Sequence, residues 1–320
     1  MRAVQISSYD GPSAVAVAEV DEPAGAVLVD VHVAGVTFPE VLQSRGEYQV
    51  KPPLPFVPGS EVAGTVRSAP EGSGLVAGQR VAAFPMLGGF AEVAACEPEA
   101  VFPLPDGVSF EAGAALPMNY LTVHFALVQR ARLQAGETVL VHGAAGGIGT
   151  AAVQLAKALG ARVVAVVSTP DKEQAARAAG ADEVVAAEGF KDAVKGLTGG
   201  AGVDVVVDPV GGDRFTDSLR SLAREGRLLV IGFTGGEIPT VKVNRLLLNN
   251  ISVVGVGWGA YFLGVGTGYL QQQWADLLPH LEAGRLDPVL GAEFPLDRAA
   301  DALRELDERR ATGKVLLRVR

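Results

Sequence analysis

The chain has 320 residues, of which 48% are hydrophobic and 20% are charged, as expected for a folded protein of about two domains rather than a disordered or fibrous one. Its formal net charge of −9 at pH 7 provides no basic surface for a nucleic-acid backbone. A single cysteine, Cys96, excludes an intramolecular disulfide and a four-cysteine zinc site, and the four histidines lack the i, i+4 spacing of paired metal ligands on a helix. No apolar run approaches the roughly 18 residues of a membrane helix, and the N-terminus lacks the apolar core of a signal peptide, so we predict a cytoplasmic protein without nucleic-acid or membrane partners.

From residue 1 to about 118, short strand-like runs are broken by glycine and proline, a pattern typical of an irregular all-β domain. The predicted strands cover residues 26–33, 62–67, 80–84 and 90–95. Residues 51–59 contain four prolines in nine positions, which neither a helix interior nor a central strand tolerates. We therefore predict a rigid loop there.

Beyond residue 118, strand and helix signals alternate, as they do in a doubly wound α/β fold with a parallel sheet. The predicted strands cover residues 138–142, 162–167, 183–186, 203–208, 227–232, 251–256 and 314–319. The predicted helices cover residues 148–159, 170–179, 214–222, 270–283 and 297–310, and a glycine-rich turn follows residue 256. The sequence therefore predicts an α/β protein in which a parallel-sheet domain accompanies the β domain.

A glycine-rich turn joins the strand at 138–142 to the helix at 148–159 and has the spacing Ala144-x-Gly146-x-x-Gly149. Gly146 would let backbone N–H groups approach a pyrophosphate, and Gly149 would permit close packing of the helix on the strand. The candidate cofactor-binding residues of this turn are Ala145, Gly146, Gly147, Ile148 and Gly149. The alternative interpretation is a tight strand-to-helix turn without a ligand.

The end of the next strand distinguishes the two nicotinamide dinucleotides, because an NAD site carries an acidic residue about 20 residues beyond the glycines. Here that position is Ser168, and Lys172 follows in the first turn of the predicted helix. A cation in the first turn is unfavourable unless an anion lies nearby, and the 2′-phosphate of NADPH would be such an anion. Asp171 keeps NADH open as the alternative.

Four segments spread along the chain are informative together: Gly-Glu-Tyr at 46–48, Leu-Pro-Phe-Val-Pro-Gly-Ser-Glu-Val-Ala-Gly at 54–64, the glycine turn at 143–149 and Ala-Thr-Gly-Lys-Val at 311–315. They resemble the medium-chain dehydrogenase/reductase superfamily and, within it, the zeta-crystallin-like family of zinc-independent NADPH:quinone oxidoreductases. The resemblance implies a GroES-like catalytic domain of residues 1–122 completed by residues 261–320, and a Rossmann NADPH-binding domain of residues 123–260. It also implies hydride transfer from NADPH to a quinone in the cleft between these domains.

Two positions set this sequence apart from zinc-dependent members of the superfamily. Those members carry Gly-His-Glu where this chain has Gly-Ser-Glu at 59–61, and a cysteine near Thr37. Quinone oxidoreductases often carry Asn-x-x-Asp where this chain has Thr37-Phe38-Pro39-Glu40, so an amide is replaced by a hydroxyl. The resemblance therefore implies a site without metal, and the difference at Thr37 leaves the substrate preference open.

The resemblance also indicates which residues act on the substrate and the cofactor. Tyr48 is the first candidate to donate to the quinone oxygen on which negative charge develops, Thr37 is the second, and Asn119 would bind the substrate or the ring. The further cofactor-binding candidates are Thr122 at the carboxamide, Phe233 and Trp258 beside the nicotinamide, and Arg310 at the 2′-phosphate. Helix capping and ordinary packing are the alternative roles for these residues.

The leading hypothesis is an NADPH:quinone oxidoreductase. An NADPH-dependent reductase of activated C=C bonds, in an enoyl thioester or an enone, uses the same hydride geometry and is the alternative. A protein that binds NADPH without turnover is a third. The resemblance further implies a homodimer formed at the edge of the Rossmann sheet, for which residues 251–256 are a suitable edge strand.

Overall fold

The computed structural model describes residues 1–320, which divide into two compact units. The first unit comprises Met1–Asn119, Gly266–Asp276 and Leu290–Arg320, and the second comprises Tyr120–Val265 and Leu277–Val289. The predicted assignment of residues 1–122 and 261–320 to catalysis and of residues 123–260 to the cofactor stays a prediction.

The strands, in chain order, are β1 (Arg2–Ile6), β2 (Val15–Glu19), β3 (Val27–Val36), β4 (Glu61–Ser68), β5 (Arg80–Ala83), β6 (Val93–Cys96), β7 (Val101–Pro103), β8 (Thr138–Val141), β9 (Arg162–Val167), β10 (Glu183–Ala186), β11 (Val203–Asp208), β12 (Leu222–Val230), β13 (Ser252–Gly255), β14 (Leu290–Pro295) and β15 (Lys314–Arg318). The α-helices are α1 (Phe38–Ser44), α2 (Phe110–Gly113), α3 (Pro117–His124), α4 (Gly147–Ala158), α5 (Glu173–Ala178), α6 (Phe190–Leu197), α7 (Phe215–Ser221), α8 (Asn244–Asn249), α9 (Trp258–Val265), α10 (Gly268–Glu282) and α11 (Ala299–Asp307). A π-helical segment, Phe125–Arg130, continues α3. None of these helices has both the length and the apolar character needed to cross a membrane.

The first unit is built on a seven-stranded sheet in the order β14-β15-β3-β4-β5-β7, with β6 also paired to β3. All of its pairings are antiparallel except that of β14 with β15. The first half of β3 alternates buried and half-buried residues, as a strand with one covered face does, and its second half is buried throughout. The core includes Val4, Val29, Phe90, Leu303 and Val315. This unit confirms the predicted irregular, GroES-like β domain.

The second unit is built on a six-stranded parallel sheet in the order β10-β9-β8-β11-β12-β13. Its central strands are continuous apolar runs because helices cover both faces of such a sheet. The strand order reverses between β8 and β11, and ligands of doubly wound sheets bind at the carboxyl ends of strands at this point. The predicted Rossmann sheet is thus confirmed, and β13 lies at its edge.

The segment after β13 was wrongly predicted as a glycine-rich turn, because residues 258–265 form α9. Trp258 and Phe262 lie one helical turn apart and are both buried. The glycines at 257, 259 and 264 conceal this spacing in the sequence, since glycine is unfavourable inside helices. The buried aromatic pair stabilises the helix in spite of them.

Other elements differ from their predicted bounds. The predicted helix over 170–179 begins as a 3₁₀ turn, Pro170–Lys172, and becomes α-helical only in α5. β12 begins at Leu222 rather than at residue 227, and its register against β11 shifts between Val203 and Val205. α11 is shorter than the predicted helix over 297–310 and leaves Arg310 beyond its end. These bounds depend on tertiary packing, which short-range sequence patterns do not contain.

Candidate functional site

The glycine turn of the second unit has the predicted strand–turn–helix form. β8 ends at Val141, Gly143 adopts a left-handed φ of 58°, and Gly146 is the N-cap of α4 with φ −86° and ψ 177°. The N–H of Gly146 donates to the Gly143 carbonyl at 3.0 Å, which closes the turn. The N–H of Ala144 donates to the Val166 carbonyl at 3.2 Å, which ties the turn to β9.

Two glycines of the turn have different roles. A Cβ atom added to Gly149 would lie 2.1 Å from the Gly143 oxygen, so only glycine permits α4 to pack this closely on the turn. A Cβ atom added to Gly146 would meet only the Gly143 oxygen, at an ordinary 3.5 Å. Internal packing therefore does not require glycine at 146, and the space beside it is free for a ligand.

The first residues of α4 fit a phosphate group. The first intrahelical bond runs from the Thr150 N–H to the Gly146 carbonyl at 2.8 Å, so the N–H groups of Gly147, Ile148 and Gly149 precede the helical ladder. Gly147 and Ile148 are partly exposed, whereas Ala145 is 2% exposed and packs inside the turn. N–H groups that have no intrahelical acceptor lie at the positive end of the helix dipole and attract anions. These groups would hold the pyrophosphate of a dinucleotide.

The structure places Ser168 and Lys172 at the same edge of the sheet as the glycine turn. Ser168 directly follows β9, the neighbour of β8, and is exposed. Lys172 ends the 3₁₀ turn and is partly exposed, and Thr169 is the N-cap of that turn. A hydroxyl and an ammonium group thus lie just beyond the carboxyl end of the strand where a dinucleotide ribose binds.

The loops that follow β11 and β12 are joined to each other and position Phe233. The N–H and hydroxyl groups of Thr234 both donate to the Pro209 carbonyl, each at 3.1 Å. The Phe233 ring lies against Gly211. A Cβ atom added to Gly211 would be 2.9 Å from Cδ1 of Phe233. Phe233 remains 37% exposed and can cover a ligand, whereas the buried Trp258 ring packs on Phe262 with 5.0 Å between centroids.

In the first unit, Thr37 is the N-cap of α1 and contacts a buried carboxylate that the sequence analysis did not select. Glu40, 1% exposed, accepts hydrogen bonds from the Thr37 N–H at 2.7 Å and from the Thr37 hydroxyl. Its other oxygen accepts from the Ser60 hydroxyl at 2.7 Å. The proton of the Thr37 hydroxyl is therefore used in the bond to Glu40, and the oxygen of that hydroxyl can only accept a further hydrogen bond.

A second buried carboxylate adjoins the first. Glu61 is 0% exposed, pairs with the Lys314 ammonium and accepts a hydrogen bond from the Met118 N–H at 2.8 Å. Burial raises the pKa of Glu61, and Lys314 opposes that effect. A Cβ atom on Gly35 would lie 2.7 Å from Lys314 Cε and 2.8 Å from Glu61 Cγ, so glycine at 35 makes room for this pair. A glutamate–lysine pair separated by 253 positions gives no local sequence signal.

Tyr48 lies just beyond α1 and is half-buried. The Glu47 N–H donates to the Leu42 carbonyl at 2.9 Å, which fixes the loop to the end of the helix. Burial raises the pKa of the Tyr48 phenol, and the negative charge of Glu40 raises it further. Tyr48 is therefore protonated at neutral pH and available as a hydrogen-bond donor.

Asn119 and Thr122 are both buried on α3, three residues apart and hence on one face of the helix. The intervening Tyr120 donates to Gln154 Oε1 at 2.6 Å, which links α3 to α4 in the second unit. Arg310 is in the first unit, where its guanidinium pairs with Glu305 and Glu308. The two units each hold some of the predicted site residues: Thr37, Tyr48, Asn119 and Arg310 in the first, the others in the second.

His142 directly follows β8 and is buried. Its Nε2 lies 2.8 Å from the Ser218 hydroxyl, and its Nδ1 has no hydrogen-bond partner. Burial lowers the pKa of His142 to about 4, with Asp208 opposing and Arg214 adding to that effect.

We expect His142 to make folding stability depend on pH. Because its folded pKa is about 4 and its ordinary value is 6.5, the unfolded chain binds more protons between these values, so stability is lost as pH falls through that range. Urea unfolding at several pH values should show a loss of about 3 kcal/mol that His142→Gln removes. His280→Gln, at a less buried histidine, is the control. An unchanged pH profile in His142→Gln would contradict the assignment.

The residues present do not fit a catalytic zinc ion. No group of three or more His, Cys, Asp or Glu side chains is arranged to hold a metal. Ser60 donates to Glu40, and Glu61 pairs with Lys314, so these side chains are not arranged as metal ligands.

Two family profiles match the chain. The alcohol dehydrogenase GroES-like domain matches residues 23–106, and the zinc-binding dehydrogenase profile matches residues 147–283. The residues matched by the second profile begin within the glycine turn, at Gly147, and include strands β9 to β13 of the parallel sheet.

Individual relatives give the same result. The chain is 42% identical over 295 residues to quinone oxidoreductase-like protein 2 of Rattus norvegicus, covering 91% of this chain and 84% of that protein. A probable oxidoreductase from Mycobacterium abscessus shares 46% identity with a TM-score of 0.91 and covers 100% of this chain and 99% of its own. The quinone oxidoreductase of Thermus thermophilus, whose structures include a complex with NADPH, shares 36% identity with a TM-score of 0.85 over 100% of both chains. The chain therefore belongs to the medium-chain dehydrogenase/reductase superfamily, in its quinone oxidoreductase-like family.

Proposed function

We propose that this protein is an NADPH:quinone oxidoreductase that works without a metal. The observation that carries the proposal is the form of the turn at residues 143–149. It leaves free space beside Gly146, and the first N–H groups of α4 have no intrahelical acceptor. The Thermus relative, similar over its whole length, binds NADPH, which supports the same cofactor here. The quinone is supported by the 42% identity to a quinone oxidoreductase-like protein.

The residues of this chain bind and orient the reactants. NADPH supplies a hydride, which carries both electrons to the quinone. The N–H groups of residues 147–149 would hold the pyrophosphate, and Ser168 and Lys172 would hold the 2′-phosphate. Thr122 would bind the carboxamide, and Asn119 would orient the acceptor. Positioning of this kind supplies much of the rate enhancement of a hydride transfer.

Tyr48 would stabilise the acceptor oxygen. When hydride adds to a quinone, negative charge develops on oxygen, and a neutral hydroxyl group that donates a hydrogen bond lowers the energy of that state. The raised pKa of Tyr48 keeps its proton in place as that charge forms. The hydroquinone anion then leaves and takes its proton from water, so Tyr48 does not need to lose one.

The test is NADPH oxidation by the purified protein, followed by absorbance, with a simple 1,4-quinone and a 2-enoyl-CoA in parallel. We expect turnover with the quinone. Turnover with the enoyl thioester alone would assign the protein to the reductases of activated C=C bonds. NADPH binding without turnover of either substrate would leave a binding protein without catalytic activity. An equal rate with NADH would contradict the cofactor preference.

We expect Lys172→Ala to weaken NADPH binding about tenfold and to leave NADH binding unchanged, because only NADPH carries the 2′-phosphate. Arg310→Ala is the matched control, since its guanidinium already pairs with Glu305 and Glu308, and we expect a smaller effect. Fluorescence titration of the wild type and both variants with NADPH and with NADH measures the dissociation constants. Equal losses for NADPH and NADH in Lys172→Ala would show that the lysine does not contact the phosphate.

We also propose a homodimer formed at β13. This strand is a sheet edge, and the flanking α8 and α9 expose Leu247, Leu248 and Leu263 by 76%, 74% and 59%. Unpaired edges and exposed apolar side chains favour association. Light scattering after size-exclusion chromatography should give twice the chain mass of 33.0 kDa, and Leu247→Glu with Leu248→Glu should lower it. A wild-type mass of 33.0 kDa would contradict the dimer.

A further inference from the structure

The first unit buries more negative than positive charge beside Tyr48. Glu40 and Glu61 are 1% and 0% exposed, and the cation that pairs with either of them is Lys314, itself 3% exposed. Buried carboxylates are costly unless paired, so an unpaired one is an informative exception. We call these three residues, together with Thr37 and Ser60, the carboxylate cluster.

The hydrogen bonds and ion pairs of the carboxylate cluster show which of its two carboxylates has a cation. Glu40 accepts from the Thr37 N–H and from the hydroxyls of Thr37 and Ser60. Glu61 accepts from the Lys314 ammonium and the Met118 N–H. An ionised carboxylate is an acceptor only, and each of these partners can donate. The cluster therefore holds two carboxylates and one ammonium group, which pairs with Glu61, so the negative charge without a cation beside it is that of Glu40.

That charge acts on the part of the site where the acceptor is proposed to bind. Glu40 is on α1, and Tyr48 is on the loop that is fixed to the end of the same helix through Glu47. Because Glu40 is buried, its field is screened less by water than that of a surface carboxylate. The effect of Glu40 on the pKa of the Tyr48 phenol has the same origin.

We propose that the carboxylate cluster makes Glu40 a specificity-determining residue, whose buried negative charge selects uncharged acceptors over anionic ones. The proposal rests on the proposed function, in which Tyr48 contacts the acceptor. A neutral quinone approaching Tyr48 meets no net repulsion, whereas a sulfonated or carboxylated quinone of the same ring system is repelled by Glu40. The same charge adds to the effect of burial in raising the pKa of the Tyr48 phenol.

The test measures kcat/KM with NADPH for 1,4-naphthoquinone and for 1,4-naphthoquinone-2-sulfonate, and divides the first value by the second. Glu40→Gln removes the charge and keeps an acceptor for the Thr37 N–H, so this ratio should fall about tenfold because the sulfonate is no longer repelled. The matched control is the double variant Glu61→Gln with Lys314→Met, which removes a carboxylate and a cation together and retains Glu40. Its ratio should equal that of the wild type. Differences in reduction potential between the two quinones cancel because only ratios between variants are compared.

The outcomes separate the two proposals. An unchanged ratio in Glu40→Gln, or an equal fall in both variants, overturns charge selection while quinone reduction stands. If the wild type reduces neither quinone, the proposed function fails. Charge selection is then tested by the ratio of the dissociation constants of the two quinones, which should change in Glu40→Gln and stay constant in the double variant. The phenol titration of Tyr48, assigned with Tyr48→Phe, gives a readout that does not need turnover. Its pKa should fall in Glu40→Gln and stay constant in the double variant, and a constant value in both overturns the proposal.

Discussion

Replacing Gly149 with alanine is expected to destabilise the second unit by about 3 kcal/mol and to abolish measurable NADPH binding. The added Cβ atom would lie 2.1 Å from the Gly143 oxygen and 2.6 Å from Ala144 Cα, both of which are backbone atoms. No side-chain rotation relieves these contacts, so α4 must move away from the turn. Urea unfolding and a fluorescence titration with NADPH measure the two effects.

Gly146→Ala is the matched variant at the neighbouring glycine. Its φ of −86° suits alanine, and its Cβ atom would meet only the Gly143 oxygen at 3.5 Å. We therefore expect stability close to that of the wild type, with NADPH binding weakened because the methyl group occupies the space proposed for the pyrophosphate. Wild-type affinity in Gly146→Ala would show that the pyrophosphate lies elsewhere. Wild-type stability in Gly149→Ala would show that α4 tolerates displacement.

Replacing Lys314 with methionine is expected to destabilise the first unit by about 3–5 kcal/mol, because Glu61 would remain buried without its cation. Glu61 and Lys314 are 0% and 3% exposed, so water cannot substitute for the lost ammonium. The remaining partner of Glu61 is the Met118 N–H. Thermal and urea unfolding measure the loss at neutral pH.

The double variant Glu61→Gln with Lys314→Met should recover most of this stability. A neutral amide needs no counter-ion, and its oxygen can still accept from the Met118 N–H. The single variant should also become less unstable as pH falls, since protonation of Glu61 removes the unpaired charge and burial already raises its pKa. A loss below about 1 kcal/mol in Lys314→Met, or no recovery in the double variant, would show that the pair contributes little.

The parallel sheet of the second unit could be predicted from the sequence because its signals are local. The valine-rich strands β9 and β11 have the predicted bounds, Arg162–Val167 and Val203–Asp208. The turn at 143–149 lies between a strand and a helix, as predicted from its glycine spacing. Glycine, proline and apolar periodicity restrict the backbone within a few residues, so they are readable without tertiary information.

The helices α1 and α9 could not be predicted in this way. Pro39 obscures α1 in the sequence, although proline is compatible with the first turn of a helix. α9 contains glycines and is stabilised by burial of Trp258 and Phe262. In both segments tertiary packing outweighs weak intrinsic propensity.

The family, the strands of the parallel sheet and the form of the glycine turn could be predicted from the sequence, since their signals lie within short segments. Which polar side chains meet depends on the tertiary structure. In the sequence, Glu40 is only the last residue of the segment at 37–40. Lys314 belongs to the segment at 311–315 and lies 253 positions beyond Glu61. Folding of the first sheet brings β15 against β3 and β3 against β4, so that Lys314 reaches Glu61 across Gly35. Burial then turns ordinary charged residues into strong electrostatic groups, because a charge inside a protein is screened far less than the same charge in water.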